Sequence, residues 1–109
     1  MRTLQGMGDA SGPSDRRLKR DVAWLGVLPN GINIYSFRYT WSDTAYVGAM
    51  AQELLAEPRF SHAVVRQPNG FYAVNYAKLG LRMTTLDVWQ ADGMQSVQWT
   101  PATEASRVA

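Results

Sequence analysis

Ser14 and Lys19 stand five residues apart in the run Ser14-Asp15-Arg16-Arg17-Leu18-Lys19. A serine hydroxyl becomes a nucleophile when a nearby base takes its proton, and a lysine can be that base where it is neutral. Lysine normally titrates near ~10.4, so neutrality requires burial or neighbouring positive charge. Arg17 and Arg20 are the cations at hand, provided they stay close to Lys19 in the fold. On spacing alone the same run also reads as a capping serine or aspartate followed by a solvated basic turn. Asp15 fits either use, orienting the loop or capping it. His62 is the one histidine, and the sequence names no partner for it. It reads as a structural or exposed residue.

Other chemistries are excluded by composition. The chain has no cysteine, so a disulfide framework, a thiolate zinc site and a cysteine nucleophile are all ruled out. One histidine builds no His-rich metal site, and no metal or other cofactor is expected. Eleven Lys/Arg against nine Asp/Glu give a net charge of only +2. The dense basic run, Arg16, Arg17, Lys19 and Arg20, is flanked by Asp15 and Asp21 and forms no stripe for nucleic acid. No stretch approaches the ~20 apolar residues of a membrane span. The first residues lack the apolar core of a secretory signal, so export by the general pathway is not expected.

These residues need elements to position them. At 109 residues and 46% hydrophobic, the chain suits one small domain with a core. Pro29-Asn30-Gly31 and Pro68-Asn69-Gly70 each combine a preset turn with a residue able to take positive φ. Each is expected to close a β-hairpin, pairing Arg20–Leu28 with Ile32–Trp41 and Ala63–Gln67 with Phe71–Asn75. In the first hairpin Tyr35, Phe37, Tyr39 and Trp41 share one parity, which predicts a sheet covered on one side. No basic residues interleave on that face, so it reads as core rather than as a base-stacking platform.

Between the hairpins, the residues from Thr44 to Glu57 read as a short amphipathic helix, with Met50 and Leu54 four apart and Pro58 as its stop. A second helix is expected from Tyr76 to Gln90, because Tyr76, Leu79, Met83 and Leu86 are spaced 3-4-3 and Gly93 offers a stop. At about two heptads the seam is shorter than a coiled coil needs, so it reads as packing on its own sheet. The expected fold is α+β: small antiparallel hairpins packed with a short helix and followed by a C-terminal helix. Residues 1–13 read as a flexible lead-in, 14–93 as the domain, and 94–109 as a polar tail that frays.

Several spaced motifs occur in one order. They are the opening run from Ser14 to Val22, Gly31-Ile-Asn-Ile-Tyr35-Ser-Phe37-Arg-Tyr39, Val47-Gly48-Ala49-Met50-Ala51-Gln52-Glu53, Ala63-Val64-Val65, and Tyr72-Ala73-Val74-Asn75-Tyr76 followed by Leu79. Over residues 14–86 the chain resembles the peptidase S74 family, the endosialidase-type intramolecular chaperone domain found at the C-terminus of phage tail fibres and tailspikes. The resemblance implies a homotrimer that guides a client stalk or tail-fibre polypeptide into a trimeric β-structure and then cuts itself free. It implies Ser14 as nucleophile, Lys19 as general base, and Pro13–Ser14 as the bond cut. Gln52 is then a candidate donor to the oxyanion, and Glu53 a candidate to hold Lys19 or a neighbouring arginine. Both also read as ordinary exposed helix surface. Ser14 and Lys19 are expected to meet only once three copies have docked.

The chain departs from the family in places. Thirteen residues precede Ser14, too few for a fibre, so a client in a separate chain, a short free-standing copy or a trimmed chain is expected. Pro13 is a stiff residue beside the bond, and Asn75 stands where many relatives carry an acidic residue. Gly80 lies within the expected C-terminal helix. The resemblance places the protein in the cytoplasm of a bacterial host during assembly, with the virion tail as the alternative. The alternative function is a non-enzymatic trimerisation cap or virion tail component that keeps the fold without cleavage. A third is an unrelated α+β ligand-binding domain, which would be a monomer with an apolar pocket.

Overall fold

Each Pro-Asn-Gly tripeptide closes a hairpin in the computed structural model, which describes residues 11–99. The two turns are built alike. Leu28 N donates to Ile32 O at 2.9 Å, Gly31 N to Leu28 O at 2.9 Å, and Ile32 N to Asn30 Oδ1 at 3.1 Å. The second turn repeats these bonds with Gln67, Gly70, Phe71 and Asn69, at 2.9, 2.8 and 3.0 Å. Gly31 and Gly70 take φ of 95° and 88°, the left-handed region that a Cβ disfavours.

Among the described residues, seven strands form two antiparallel sheets. Strand β1 is Ser11–Pro13, β2 Lys19–Val27, β3 Asn33–Tyr39, β4 Ala45–Gly48, β5 Val64–Arg66, β6 Tyr72–Asn75 and β7 Thr84–Thr85. One sheet runs β2-β3-β4-β7, the other β1-β6-β5. Helix α1, Ala51–Leu55, follows β4, and helix α2, Leu86–Asp92, lies near the C-terminal end. The fold is α+β, with antiparallel sheets and a short C-terminal helix. The main core gathers Ile34, Val47, Leu54, Val74, Leu81 and Val97, and a smaller cluster joins Phe37, Tyr39 and Met50.

The helix expected from Thr44 is shorter than its spacing predicts. Ala45–Gly48 pair with β3 instead, from Arg38↔Ala45 to Tyr35↔Gly48. Tyr46 and Val47 suit a strand, and the ladder satisfies their backbone. The helix expected over residues 76–90 is also broken. Tyr76–Leu79 form a 3₁₀ turn that ends at Gly80, whose φ of 71° leaves the helical region. The chain then makes β7, and Thr85 caps α2 by accepting from Val88 N. Leu79, in the same 3₁₀ turn, and Met83 and Leu86, beyond it, still pack on the core that holds Tyr76. Gly93 ends α2 as expected.

Two further expectations change. β3 is not covered on one side only, because Ile34 is 1% exposed on the parity opposite to buried Phe37 and Tyr39. Trp41, past the end of the strand, is 61% exposed but stacks on Tyr39 at 4.7 Å. Packing also continues beyond Met94. Val97 lies in the core, Arg82 N donates to Val97 O at 2.8 Å, and Trp99 N donates to Gly80 O at 2.9 Å. That segment takes up backbone groups freed by the break at Gly80. Residues 11–13, expected within the flexible lead-in, form the paired strand β1, and the expectations for residues 1–10 and 100–109 lie outside the described residues. No helix among the described residues is long and apolar enough to cross a membrane.

Candidate active site

Strand β1 delivers Ser14. Pro13 pairs with Ala73, and Ser14 N donates to Tyr72 O at 3.2 Å. Neighbouring residues of a strand send their backbone groups to opposite sides. The Pro13 carbonyl therefore turns away from β6, and the missing N–H of proline costs no ladder bond. On that other side Pro13 O accepts a 2.6 Å hydrogen bond from the Tyr39 hydroxyl.

Asp15 folds the chain back. Its carboxylate accepts from Arg17 N at 2.9 Å and so caps a 3₁₀ turn over Arg16–Leu18. It also accepts from the Arg17 guanidinium, from Gln52 Nε2 at 2.8 Å and from Tyr72 N at 3.0 Å. Asp15 is fully buried, and the Arg17 guanidinium holds its carboxyl well below the usual carboxylate range. Asp15 thus both caps the turn and ties it to α1 and β6.

The turn returns Lys19 to Ser14. Lys19 Nζ lies 3.1 Å from Ser14 Oγ and 2.8 Å from Ala49 O. Ser14 is 0% exposed and Lys19 8%. Burial pushes Lys19 down to about 7; the Asp15 carboxylate opposes this, and Arg16 adds to it. The neighbouring cation is Arg16, not Arg17 or Arg20, which are paired with Asp15 and with Asp21 and Asp43. The face of Phe37, 4.1 Å from Nζ, favours the ammonium form and acts against burial. Ser14 and Lys19 meet within a single chain, which corrects the expectation that three docked copies are needed to bring them together.

Two expected supports act differently. Gln52 is not aimed at the Pro13 carbonyl. Its Nε2 bonds Asp15, and its Oε1 accepts from Arg16 N at 2.8 Å, so both ends of the amide hold the turn. Glu53 does not hold Lys19 or an arginine. It is exposed and accepts from the Tyr35 hydroxyl and from Asn33 Nδ2. His62 is exposed, as read.

The site also contains residues that the sequence shows only as core. The Tyr76 hydroxyl accepts from Ala49 N at 3.3 Å, leaving its own proton for Ser14 Oγ at 3.1 Å. Ser14 in turn donates to Ala49 O at 2.7 Å. Gly48 makes room for this tyrosine, since a Cβ there would lie 2.7 Å from the Tyr76 hydroxyl. The available signal was chemical: a buried tyrosine needs a partner for its hydroxyl.

A neutral Lys19 can take the Ser14 proton after the hydroxyl turns from Ala49 O towards Nζ. Among the described residues no group of three or more His, Asp or Glu side chains could hold a metal ion. No family model matches this chain, and neither a curated protein nor a solved structure matches it.

Proposed function

We propose that the chain is a self-cleaving serine endopeptidase of the intramolecular-chaperone type, cutting Pro13–Ser14 with Ser14 and Lys19. The observation that carries this reading is the buried 3.1 Å contact between Lys19 Nζ and Ser14 Oγ, with Lys19 pushed down to about 7. A lysine titrating there supplies a neutral amine near physiological pH.

The reaction balances within the chain. Lys19 takes the proton of Ser14 Oγ, which attacks the Pro13 carbonyl carbon. Proximity comes from adjacency in sequence. The C–N bond then breaks, and the Ser14 nitrogen leaves with the proton returned by Lys19. Pro13 is now held as an ester on Ser14. Water cleaves that ester, giving a Pro13 carboxylate and a chain that begins with free Ser14. The resemblance of the spaced motifs extends the proposal to a homotrimer that assists a client stalk or tail-fibre polypeptide, in a bacterial cytoplasm during assembly.

The test is a fusion of a folded client ahead of residue 14. Wild type yields two fragments, and Ser14→Ala yields one. If both remain whole, the peptidase reading fails. One observation favours the alternative of an uncut structural module: Ala49 O accepts from both Ser14 and Lys19, which would satisfy both groups without chemistry. An uncut wild-type fusion is the outcome for that reading.

A further inference from the structure

Attack on the Pro13 carbonyl places negative charge on its oxygen, and an acyl-transfer site needs a donor waiting there. Gln52 is committed elsewhere, with both ends of its amide bonded to the Asp15–Arg16 turn. We infer that Tyr39 is the oxyanion donor of this site, a third catalytic residue beside Ser14 and Lys19. The inference rests on the self-cleavage reading and adds a residue to it.

Three observations converge. First, the Tyr39 hydroxyl already lies 2.6 Å from Pro13 O, the atom on which charge develops. Pro13 O reaches it because β1 turns that carbonyl away from β6, towards the other sheet. Second, the ring is fixed. Tyr39 is 4% exposed, sits edge-on to Phe37 at 5.3 Å between centroids, and stacks on Trp41 with an interplanar angle of 6°. A donor held by packing loses little freedom when charge appears. Third, the hydroxyl's other neighbour is Met83 Sδ at 3.3 Å, a weak acceptor that competes poorly with a carbonyl or an alkoxide.

Tyr39 also keeps its proton under working conditions. Burial pushes its hydroxyl up, well beyond the ordinary tyrosine range. Lys19 loses its proton near 7. Over the whole interval in which Lys19 is a base, Tyr39 is still a donor. It holds this proton throughout the cycle. It strengthens one hydrogen bond as the tetrahedral centre forms and relaxes it as the C–N bond breaks.

The experiment uses the client fusion and compares wild type, Tyr39→Phe and Tyr46→Phe from pH 5 to 9. Phenylalanine keeps the ring and its stacking and deletes one oxygen. Tyr46 packs against the same aromatic cluster, so its variant controls for losing a hydroxyl there. Tyr39→Phe is expected to slow cleavage by roughly 100- to 1000-fold without moving the pH midpoint set by Lys19. Tyr46→Phe is expected to cut at the wild-type rate. A Tyr39→Phe chain that cuts within about twofold of wild type overturns the inference and leaves the Ser14–Lys19 reading standing. A wild-type fusion that never cuts overturns both.

A second measurement needs no cleavage. In an uncut Ser14→Ala chain carrying ¹³C at the Pro13 carbonyl, Tyr39→Phe is expected to raise the carbonyl stretching frequency, because a short hydrogen bond is lost. An unchanged frequency overturns the inference.

Discussion

Lys19 and Tyr39 are direct partners across the β2–β3 ladder. One rung of a hairpin therefore carries both the amine that lies 3.1 Å from Ser14 Oγ and the hydroxyl that lies 2.6 Å from Pro13 O. The two flank the Pro13–Ser14 peptide from the same side of the sheet. Register fixes this arrangement, since a slip of one residue would send one side chain to the opposite face. The Pro29-Asn30-Gly31 turn starts the register at the far end of the hairpin, and two irregularities, between Trp24 and Gly26 and between Arg20 and Ala23, shift it before the Lys19–Tyr39 rung.

The first prediction concerns pH and rate. Cleavage requires neutral Lys19, which burial holds at about 7. The rate is expected to fall about tenfold per pH unit below that value and to level off above it. Single-turnover cleavage of the fusion, followed on gels, reads this directly. Lys19→Arg keeps a cation that never gives up its proton, so its cleavage is expected to fall by about 100-fold or more at every pH. A flat profile in the wild type would remove Lys19 from the mechanism.

The same lysine sets a stability profile. Unfolded, it holds its proton up to its ordinary 10.5; folded, it releases it near 7. Between those values the unfolded chain binds more protons, so stability rises with pH across this window. The buried tyrosines act at its upper end. Burial raises Tyr39 and Tyr76 when folded, so above about 10 the unfolded chain loses those protons first and stability falls. Urea midpoints of the Ser14→Ala chain are expected to climb from pH 6 to 9 and drop beyond 10. Lys19→Met is expected to remove the climb and to raise stability at pH 6, because the buried amine is no longer charged there.

Asp15 dominates the acid side. Its carboxyl is depressed when folded, so its contribution is full above the ordinary 3.8 and is lost as pH falls below it. Asp15→Ala would leave Tyr72 N, Arg17 N and Gln52 Nε2 without their acceptor, at a cost of about 3 kcal/mol. Arg17→Ala is expected to cost much less, because the arginine side chain is 58% exposed and water screens the pair. Chemical denaturation at pH 7 separates the two. Equal losses would mean that the ion pair, and not the backbone bonds, carries Asp15.

The hairpins are legible in the sequence because Pro-Asn-Gly carries its own geometry. A preset φ, an Asn that bonds the backbone two residues on, and a glycine at positive φ all act within the tripeptide. The second helix is misread because its signal is only spacing. Tyr76, Leu79, Met83 and Leu86 fit a helix, yet a 3₁₀ turn, a left-handed Gly80 and a short strand bring them to the same core. Ser14 and Lys19 are legible as residue types, not as a contact. Their surroundings come from far along the chain. The Ala49 carbonyl is 30 positions from Lys19 and the Tyr76 hydroxyl is 62 from Ser14. Tyr39 is hidden for the same reason, its alternation being that of any core strand.

Gly48 supplies the last test, of how the nucleophile is held. A Cβ at this position would sit 2.7 Å from the Tyr76 hydroxyl and 3.4 Å from Met83 Cγ. Gly48→Ala is expected to push the hydroxyl off Ser14 and to destabilise the fold by about 2 kcal/mol, as overpacking does. The clash at 2.7 Å is with one oxygen, which makes the cause separable. Tyr76→Phe alone removes that oxygen and strips Ala49 N and Ser14 of a partner, costing about 1 kcal/mol. In the double variant Gly48→Ala/Tyr76→Phe the added methyl meets a smaller ring edge. The loss in the double variant should therefore fall short of the sum of the two single losses by about 1 kcal/mol in a double-mutant cycle. Additive losses would mean that Gly48 is needed for its backbone in β4 and not for the approach of Tyr76.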